Sequence, residues 1–459
     1  MGTRVVIVTG LADIRRILTL RPTKFRRGHG PEQFSWAAEQ VGAKDSMFFE
    51  EGKAWGRSRR LISPNLTGHN IATMLPIMAK IGERFCDKLG DSAGNGKVVK
   101  ARNSFARFAH DIIALAGFGV DVDSVRATVE LPCKSFDAME SKTSAIDKLI
   151  LKPLDIWTWK YFPMVPWVRK TKEHSLRLEN VIQGAIDAVR LEANVAGPTA
   201  EGHMGVGGAL LRKIVGATKA KATSDRMVFS DREVMNEATS LFVAGTETTA
   251  LSLCWAMYYL SKNPEAVLRC RAEALEAAPL SDGMASTKEQ LSQLEFCSAV
   301  FKEVLRLRTP APMMSLNGTE DFTMESGFVL EEGTGLFVLT RALGVSEEFF
   351  TRAKEFMPER WIEAERNAAL MGKVEDGKES VIAHEAEAFL SLGHGPRICP
   401  GQDMAKAEGA IIIAAICARF DISMAPGQAD PPEEVSSFAQ GPKEFDMIFT
   451  RRKRGRSSD

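Results

Sequence analysis

The segment from Ala238 to Leu260, ATSLFVAGTETTALSLCWAMYYL, is apolar over a length that could be mistaken for a membrane-spanning helix. It also contains Glu247, four threonines and a central glycine. Hydrocarbon tolerates such residues poorly, whereas a buried helix that lines a polar cavity can use them. We therefore predict a helix of the protein core here rather than a membrane anchor.

Capping residues indicate where this helix and its neighbours begin and end. Ser230-Asp231-Arg232-Glu233 has the form of a capping box and predicts the start of the long helix. A second helix is predicted to follow at once, with Asn263 as its N-cap and Pro264 at its first position. Thr287-Lys288-Glu289-Gln290 repeats the capping-box form and predicts a third helix, which Pro310 ends.

Signals for strands are few. A short strand is predicted at Arg4–Val8 (RVVIV), and Gly327–Leu330 and Thr334–Thr340 are predicted to be short strands of a small sheet. Loops, rather than domain linkers, are predicted at Gly90–Gly96, Gly197–Gly208 and Gly372–Ser380. We therefore expect one mainly helical domain over residues 1–459, with a small β part and a disordered tail from about residue 451.

Charge and cysteine usage exclude some classes of partner. Lys plus Arg and Asp plus Glu number 59 each, so no overall field favours nucleic acid or an anionic membrane. The seven cysteines are scattered and form no CxxC pair, which favours free thiols in a reducing, intracellular compartment. The apolar run at the start is too short for a signal peptide or a membrane span, so we expect no anchor within the chain.

One cysteine stands in an unusual setting, the segment Leu392–Gly401 (LGHGPRICPG). Positive charge at Arg397, and a helix predicted from Pro400 onward, both favour the thiolate form of Cys399. The surrounding glycines allow the backbone to approach a flat object closely. The segment therefore suits a large planar cofactor. The alternative is a free core cysteine beside an irregular turn.

Three further motifs accompany this loop. Glu303 and Arg306 lie three residues apart on one helical face, which by itself indicates no more than a surface ion pair. Arg360 lies in the aromatic segment FMPERW, and AGTETT, residues 244–249, lies in the long apolar helix. The order of AGTETT, ExxR, PERW and the glycine-flanked cysteine resembles that of the cytochrome P-450 family, the heme-thiolate monooxygenases. The resemblance covers nearly the whole chain.

The resemblance implies a heme b cofactor whose iron has the Cys399 thiolate as its axial ligand. It also implies that a buried ion network of Glu303, Arg306 and Arg360 supports the cysteine loop. The positions that match the family's other heme-binding residues, including the arginines and tryptophan that hold the propionates, are Trp55, Arg59, Gly245, Gly393, Gly395 and Arg397.

On the other face of the heme, the resemblance implies a catalytic acid and alcohol. Gly245 would open the long helix where dioxygen must sit. Thr248 would hydrogen-bond the oxygen, and Glu247 would relay protons from water. The alternative for Thr248 is a hydroxyl satisfied by a carbonyl of its own helix.

The chain departs from the family's pattern in three places. Leu392 stands where phenylalanine usually precedes the ligand cysteine by seven residues. Leu316 stands where a basic residue often contacts a propionate, so more of the anchoring is expected from the other propionate-side residues. We also expect the family's triangular helical prism with minor sheets to lack its most N-terminal strand and helix here, which would leave the edge of RVVIV uncovered.

The resemblance further implies a reaction and its partners. One atom of dioxygen would enter an apolar organic substrate, with electrons from NADPH through a flavoprotein reductase or from a ferredoxin, and no nucleic acid involved. The alternatives are a reductase-independent lyase or isomerase on the same fold, and an inactive heme-binding protein. A location at the endoplasmic reticulum membrane would require an anchor before residue 1. The stretch Trp157–Trp167 predicts either a membrane or substrate-entry segment or a packed aromatic turn.

Overall fold

The structure is a computed structural model of the chain. It describes residues 4–27, 39, 44–94, 98–128, 132–151, 158–162, 164–196, 208–216, 229–362, 387–436 and 439–452. Three segments predicted to be irregular therefore lie outside the described residues: most of the stretch 197–208, the polar run 372–380 and the tail beyond residue 452.

Helices make up most of the described chain. In chain order the principal α-helices are α1 (Leu11–Thr19), α2 (Gly52–Ile62), α3 (Gly68–Gly94), α4 (Ala101–Ile112), α5 (Lys134–Leu151), α6 (Pro166–Ala196), α7 (Ala209–Gly216), α8 (Asp231–Lys262), α9 (Pro264–Ala277), α10 (Lys288–Ser292), α11 (Glu295–Leu307), α12 (Thr340–Gly344) and α13 (Gln402–Arg419). A π-helical turn, Ile113–Gly117, continues α4.

The strands are short. They are β1 (Val5–Val8), β2 (Phe25–Arg27), β3 (Val99–Lys100), β4 (Met314–Gly318), β5 (Phe322–Thr323), β6 (Val329–Leu330), β7 (Gly335–Val338), β8 (Phe420–Met424), β9 (Glu434–Ser436), β10 (Gln440–Pro442) and β11 (Asp446–Arg451). They form a sheet ordered β1-β7-β4-β2, a sheet ordered β3-β11-β8, and the hairpins β5-β6 and β9-β10.

The first strand confirms one prediction and the later strands correct another. Strand β1 pairs in parallel with β7, and its other edge carries no strand among the described residues. Val5 and Ile7 project from the same face of the sheet, where they are exposed. Strands β6 and β7 were expected in one small sheet but lie in two different ones, because β6 pairs with β5 whereas β7 pairs with β1 and β4. Pairing partners are set by contacts distant in sequence, which local patterns do not carry.

Helix boundaries follow the capping predictions in part. The capping box at Ser230 is complete, with its side chain and that of Glu233 each bonded to the other's backbone. Asn263 precedes α9, but its amide donates to the Tyr259 carbonyl at 2.6 Å instead of capping that helix. The third helix is divided, because α10 ends at Ser292 and α11 begins at Glu295.

One predicted loop is helical. Helix α3 continues through Gly90 to Gly94, although Gly90–Gly96 was expected to be a loop. A Cβ at Gly90 would lie 3.0 Å from Nη1 of Arg451, the flexible end of a side chain that can move aside, so packing does not require glycine here. The helix continues because one glycine costs only about 1 kcal/mol of helix propensity.

Helix α8 lies at the centre of the core, as its apolar sequence predicts. Most of its side chains are buried, including Phe242 and Trp255, and it packs against α4, α6, α11 and α13. A helix that is apolar on nearly all sides must be covered on all sides. In the part of the chain that the structure describes, none of the helices is both long enough and apolar enough to cross a membrane.

A buried carboxyl group links α8 to α13. Glu408 of α13 is 3% exposed, hydrogen-bonds the Thr249 side chain of α8, and leaves its Oε2 atom without a hydrogen-bond partner among the described residues. Burial raises the pKa of Glu408 from 4.5 to about 8. The folded protein therefore holds a proton on Glu408 at pH values at which the unfolded chain has released it.

This carboxyl group predicts a pH dependence of stability. Because the folded-state pKa is raised, the contribution of Glu408 is fully present below about pH 4.5 and is lost as the pH rises towards about 8, by on the order of 1.4 kcal/mol per pH unit. We expect the free energy of unfolding of Glu408→Gln to fall less between pH 5 and pH 8 than that of the parent. Urea unfolding of both proteins at several pH values measures this difference, and parallel pH profiles would contradict it.

Candidate heme-thiolate site

The loop before α13 is a tight turn that requires glycine. Gly393 and Gly395 have φ values of +82° and +69°, which side chains rarely adopt. A Cβ at Gly395 would lie 2.5 Å from the carbonyl oxygen of Leu18 in α1, so the loop packs directly on that helix. The Cys399 N–H donates to the Leu392 carbonyl at 2.8 Å and closes the turn. The glycines were expected to let the backbone approach a flat cofactor; in the structure, positive φ values and close packing on α1 already require them.

Cys399 differs from the other cysteines in its exposure. All seven cysteines lie among the described residues; six are buried, and Cys399 is partly exposed. It precedes the N-terminus of α13, which begins at Gln402, slightly later than predicted. Desolvation raises the pKa of Cys399, whereas the Gly401 N–H and the positive charges of Arg59 and Lys406 oppose that rise.

The three side chains predicted to hold propionates lie together beside this loop. Trp55 and Arg59 are one turn apart on α2, and both are partly exposed. The Arg397 guanidinium lies 4.5 Å from the centre of the Trp55 ring. It also donates to the Glu50 carbonyl at 2.6 Å and forms an ion pair with Glu51. The structure therefore holds Arg397 in place through α2 and the residues just before it.

Several guanidinium nitrogens near Arg397 are buried without a partner. In the arginine cluster of Arg21, Arg27 and Arg397, the three Nε atoms and Nη2 of Arg21 form no hydrogen bond with any described residue. Desolvation and the charges of Arg21 and Arg397 lower the pKa of Arg27 to about 9. Buried cations of this kind need an anion. A planar cofactor with carboxylate groups supplies one, so these residues fit a heme with its propionates.

A second buried charge network lies around Glu303. Glu303 and Arg306 are fully buried on α11 and form a two-pronged ion pair, with N···O distances of 2.6 and 2.8 Å. Arg360 Nε donates to Glu303 at 3.2 Å, and Trp361 Nε1 donates to it at 3.0 Å. The pair is therefore buried and not a surface pair, and the three residues of the network that the resemblance implied are in contact, with Trp361 as a fourth member.

The network is joined to the cysteine loop by a residue that the sequence motifs did not indicate. Ser391 donates to the Leu305 carbonyl of α11 at 2.8 Å, and Thr309 donates to the Ser391 carbonyl at 3.3 Å. Phe389 packs edge-to-face on Trp361, with ring centres 5.1 Å apart. Serine is common in turns, so no local sequence pattern distinguishes Ser391 from a serine whose hydroxyl contacts only solvent.

The middle of α8 carries a partly exposed stripe between buried neighbours. Leu241, Ala244, Gly245 and Thr248 recur at helical spacing and are partly exposed, whereas the residues around them are mostly buried. Because these residues lie on one side of a core helix, we infer that they face open space inside the core, which is called the cavity below. A Cβ at Gly245 would lie 3.2 Å from the Ile113 side chain, so this glycine also permits close packing of the π-helical turn.

The predicted acid, Glu247, and the predicted alcohol, Thr248, each form a hydrogen bond within the protein. Glu247 accepts a hydrogen bond from Arg102 of α4, with an N···O distance of 2.9 Å, and its side chain is 11% exposed. The Arg102 side chain is 30% exposed, so the pair connects the helix to solvent. Thr248 Oγ1 donates to the Ala244 carbonyl at 2.8 Å, which is the alternative considered for this residue. Arg102 was not indicated by any sequence motif.

The aromatic stretch 157–167 shows features of both predictions made for it. Trp159 is buried and its ring centre lies 5.8 Å from that of Trp167, as in a packed turn. Tyr161, Phe162 and Met164 are exposed, as a surface segment requires. Trp157 and Pro163 lie outside the described residues. Both predictions for this stretch stay open.

The site combines three features: a partly exposed cysteine at a helix N-terminus, a neighbouring cluster of cations, and a cavity-lining helix. Together they indicate the heme-thiolate class of protein. Comparison with known proteins agrees: the family model for cytochrome P-450 matches residues 1–449. The chain belongs to the cytochrome P-450 family, whose members use heme b held by a cysteine thiolate. The predicted resemblance, fold and cofactor are thereby confirmed.

Individual relatives are distant. A probable cytochrome P-450 6d5 of Drosophila melanogaster is 24% identical over 400 residues, which cover 83% of this chain and 72% of the relative. The cytochrome P-450 monooxygenase claP of Ampulloclitocybe clavipes is 28% identical over 387 residues, covering 79% and 67%. Across eight curated relatives, the match spans 61 to 72% of the relative's length.

Solved structures show the same fold. The crystal structure of the cytochrome P-450DA heme domain superposes with a TM-score of 0.78 at 18% identity, covering 98% of this chain and 88% of that one. A second cytochrome P-450 crystal structure gives a TM-score of 0.76 at 20% identity, covering 98% and 89%.

Proposed function

We propose that this protein is a heme-dependent monooxygenase that inserts one oxygen atom into an apolar organic substrate. The observation that carries the proposal is Cys399, the partly exposed cysteine in a glycine-shaped loop at the N-terminus of α13. Heme held by this thiolate supplies the activation of dioxygen with two electrons. NADPH through a flavoprotein reductase, or a ferredoxin, is the proposed electron source.

The proposed roles of the chain's residues follow from their positions. Arg397, Arg59 and Trp55 hold and orient the carboxylate edge of the cofactor. Leu392 is partly buried against the core and shields the Cys399 sulfur from water. Leu241 and Ala244 give the cavity an apolar wall, which suits an apolar substrate.

Proton supply is proposed to pass through the pair on α8. Arg102 fixes the position of the Glu247 carboxylate near solvent, and water at this partly exposed pair supplies the protons that Glu247 passes on. Thr248 donates to the Ala244 carbonyl, but its hydroxyl can rotate and retains acceptor sites towards the cavity. The Thr248 hydroxyl thus offers a proton at the cavity wall, and no charged side chain has to lie there.

Thr248→Ala tests this role. We expect the variant to bind heme normally but to couple NADPH consumption to product poorly, because the hydroxyl that delivers protons at the cavity wall is lost. A decrease of roughly tenfold or more in coupling is expected, in the range of a lost general acid–base contribution. Product formed and hydrogen peroxide released per NADPH consumed are the quantities to measure.

Ser252→Ala is the matched control for that variant. Ser252 donates to the Thr248 carbonyl at 2.8 Å, the same bond one helical turn further on, but it is 1% exposed and does not line the cavity. Its loss should leave coupling unchanged. Equal coupling in Thr248→Ala and the parent, or equal losses in both variants, would remove the proposed role.

The function itself is tested by NADPH consumption with a purified reductase. Consumption that rises when an apolar substrate is added, with formation of an oxygenated product, is expected of a monooxygenase. Turnover of hydroperoxides without reductase or NADPH would instead indicate the lyase or isomerase. Bound heme with no turnover in either assay, across a panel of fatty acids, sterols, terpenoids and xenobiotics, would favour the inactive heme-binding protein.

A further inference from the structure

Helix α9 carries an exposed apolar stripe. Leu268, Ala272 and Leu275 recur four and three residues apart, so they lie on one face of the helix. Leu268 is 58% exposed, Leu275 is 39% exposed, and Ala272 is also exposed. Leu280, in the turn that follows the helix, is fully exposed. Single exposed leucines are ordinary, but several along one face are typical of a surface that binds another protein surface.

The opposite face fixes α9 in the fold. Val267, Cys270, Arg271 and Ala274 are buried, and the helix packs against α11 and α13. The Arg271 side chain also donates to the Cys417 carbonyl of α13 at 2.7 Å. The stripe is therefore presented on a fixed backbone, and a partner can bind it without the entropy cost of ordering a loop.

Two opposite charges border the stripe on the same flank. Arg269 and Glu276 each follow a leucine of the stripe by one residue and lie seven residues, about two helical turns, apart. The Arg269 guanidinium lies 4.0 Å from the centre of the Phe296 ring and forms an ion pair with Glu359 at 3.3 Å, yet the side chain is 47% exposed. Glu276 is exposed as well. The flank thus offers one cation and one anion to a partner.

Two-fold symmetry matches this pattern with itself. In an antiparallel pair of α9 helices that crosses at Ala272, residues at similar distances before and after Ala272 face each other. Leu268 then packs on Leu275 of the second copy, and the small Ala272 side chain lets the helices approach closely. The two-fold axis keeps the charged flanks of both helices on one side. Arg269 of each copy therefore meets Glu276 of the other, with an offset of one residue, about 1.5 Å along the axis.

We propose that the stripe of α9 is a homodimer interface, in which a second copy of this chain packs its own α9 antiparallel on it. A second copy is the occupant that the charges favour, because the surface is complementary to itself at two symmetric ion pairs as well as along its leucines. One helix pair is a small interface, so we expect a weak dimer that dissociates on dilution. The inference depends neither on heme nor on the proposed reaction.

Sedimentation velocity of the purified full chain tests the interface. Between about 1 μM and about 1 mM, the range in which weak complexes dissociate, the parent should pass from monomer to dimer. Leu268→Arg should stay monomeric, because a charge replaces an apolar contact at both symmetric positions. Leu176→Arg is the matched control: Leu176 is 61% exposed on α6, and this variant should dimerise like the parent. A monomeric parent, or equal dimerisation of Leu268→Arg and the parent, would overturn the proposal.

A charge exchange tests the antiparallel arrangement. Arg269→Glu should weaken dimerisation by about tenfold or more, because a carboxylate then faces Glu276 of the other copy at two places. Adding Glu276→Arg to the same chain restores opposite charges and should return most of the affinity. The contacts of Arg269 with Phe296 and Glu359 are lost in the single and the double variant alike, so they cannot account for a recovery. A double variant that dimerises no better than Arg269→Glu would overturn the two-fold pairing.

Discussion

Replacing Cys399 by serine should abolish the strongly red-shifted carbon monoxide band of the reduced, heme-loaded protein. The shift requires a thiolate ligand, and a serine hydroxyl is not ionised at neutral pH and is a poor ligand for iron. Because Cys399 is partly exposed and its loop is shaped by glycines, the variant should still fold. The measurement is the difference spectrum of the reduced protein with and without carbon monoxide.

Cys133→Ser is the matched control. Cys133 is 8% exposed, and its sulfur lies 3.3 Å from the Ser135 hydroxyl and 3.7 Å from the Val122 carbonyl, so a serine would find the same partners. Its spectrum should be that of the parent. A red-shifted band retained in Cys399→Ser, or lost in Cys133→Ser, would show that Cys399 is not the ligand.

Replacing Glu303 by glutamine should lower the free energy of unfolding by about 3–5 kcal/mol. The reason is that Arg306 and Arg360 would remain buried around a group without charge. Proteins have a total free energy of unfolding of only about 5–15 kcal/mol, so this loss would leave much of the variant unfolded. We therefore expect much of the purified protein to lack heme. Urea unfolding and heme content per chain measure the two effects. Trp361→Phe, which removes one donor to the Glu303 carboxylate, should cost about 1.5–3 kcal/mol.

An exposed pair with the same spacing provides the control. Arg352 and Glu355 form an ion pair three residues apart, with side chains 58% and 53% exposed. Glu355→Gln should leave stability and heme content unchanged, because water already solvates both charges. If Glu303→Gln were equally harmless, the buried network would not support the fold, and its proposed role in holding the cysteine loop would be wrong as well.

Local sequence patterns predicted the parts of the site that local chemistry determines. The capping box at Ser230 and the glycine-shaped loop around Cys399 depend on neighbours within a few residues, and the structure has both. The contact between Glu303 and Arg306 could be predicted for the same reason, since the two residues lie three positions apart on one helix. Arg360 lies far from this pair in sequence, so only the resemblance to a family predicted that it contacts Glu303.

The residues that sequence reasoning missed act across long separations. Arg27 lies opposite Leu316 only because β2 pairs with β4, Arg102 meets Glu247 only because α4 packs on α8, and Ser391 reaches α11 through a turn. No periodicity or cap encodes these contacts, since each depends on how elements pack. The division of the predicted third helix at Ser292 is likewise a property of packing and not of propensity.

The segment that carries Cys399 is anchored at both ends by separate supports. Ser391 ties its start to α11 and the Glu303 network, and Arg397 ties its later part to Glu51 and the arginine cluster. Among the described residues, the two supports share no side chain. When two sites are independent, the changes in the free energy of unfolding caused by mutations at each of them add. For enzyme engineering, we therefore propose the arginine cluster as the end to redesign for a porphyrin with altered carboxylates, with the Glu303 end left unchanged to hold the cysteine loop.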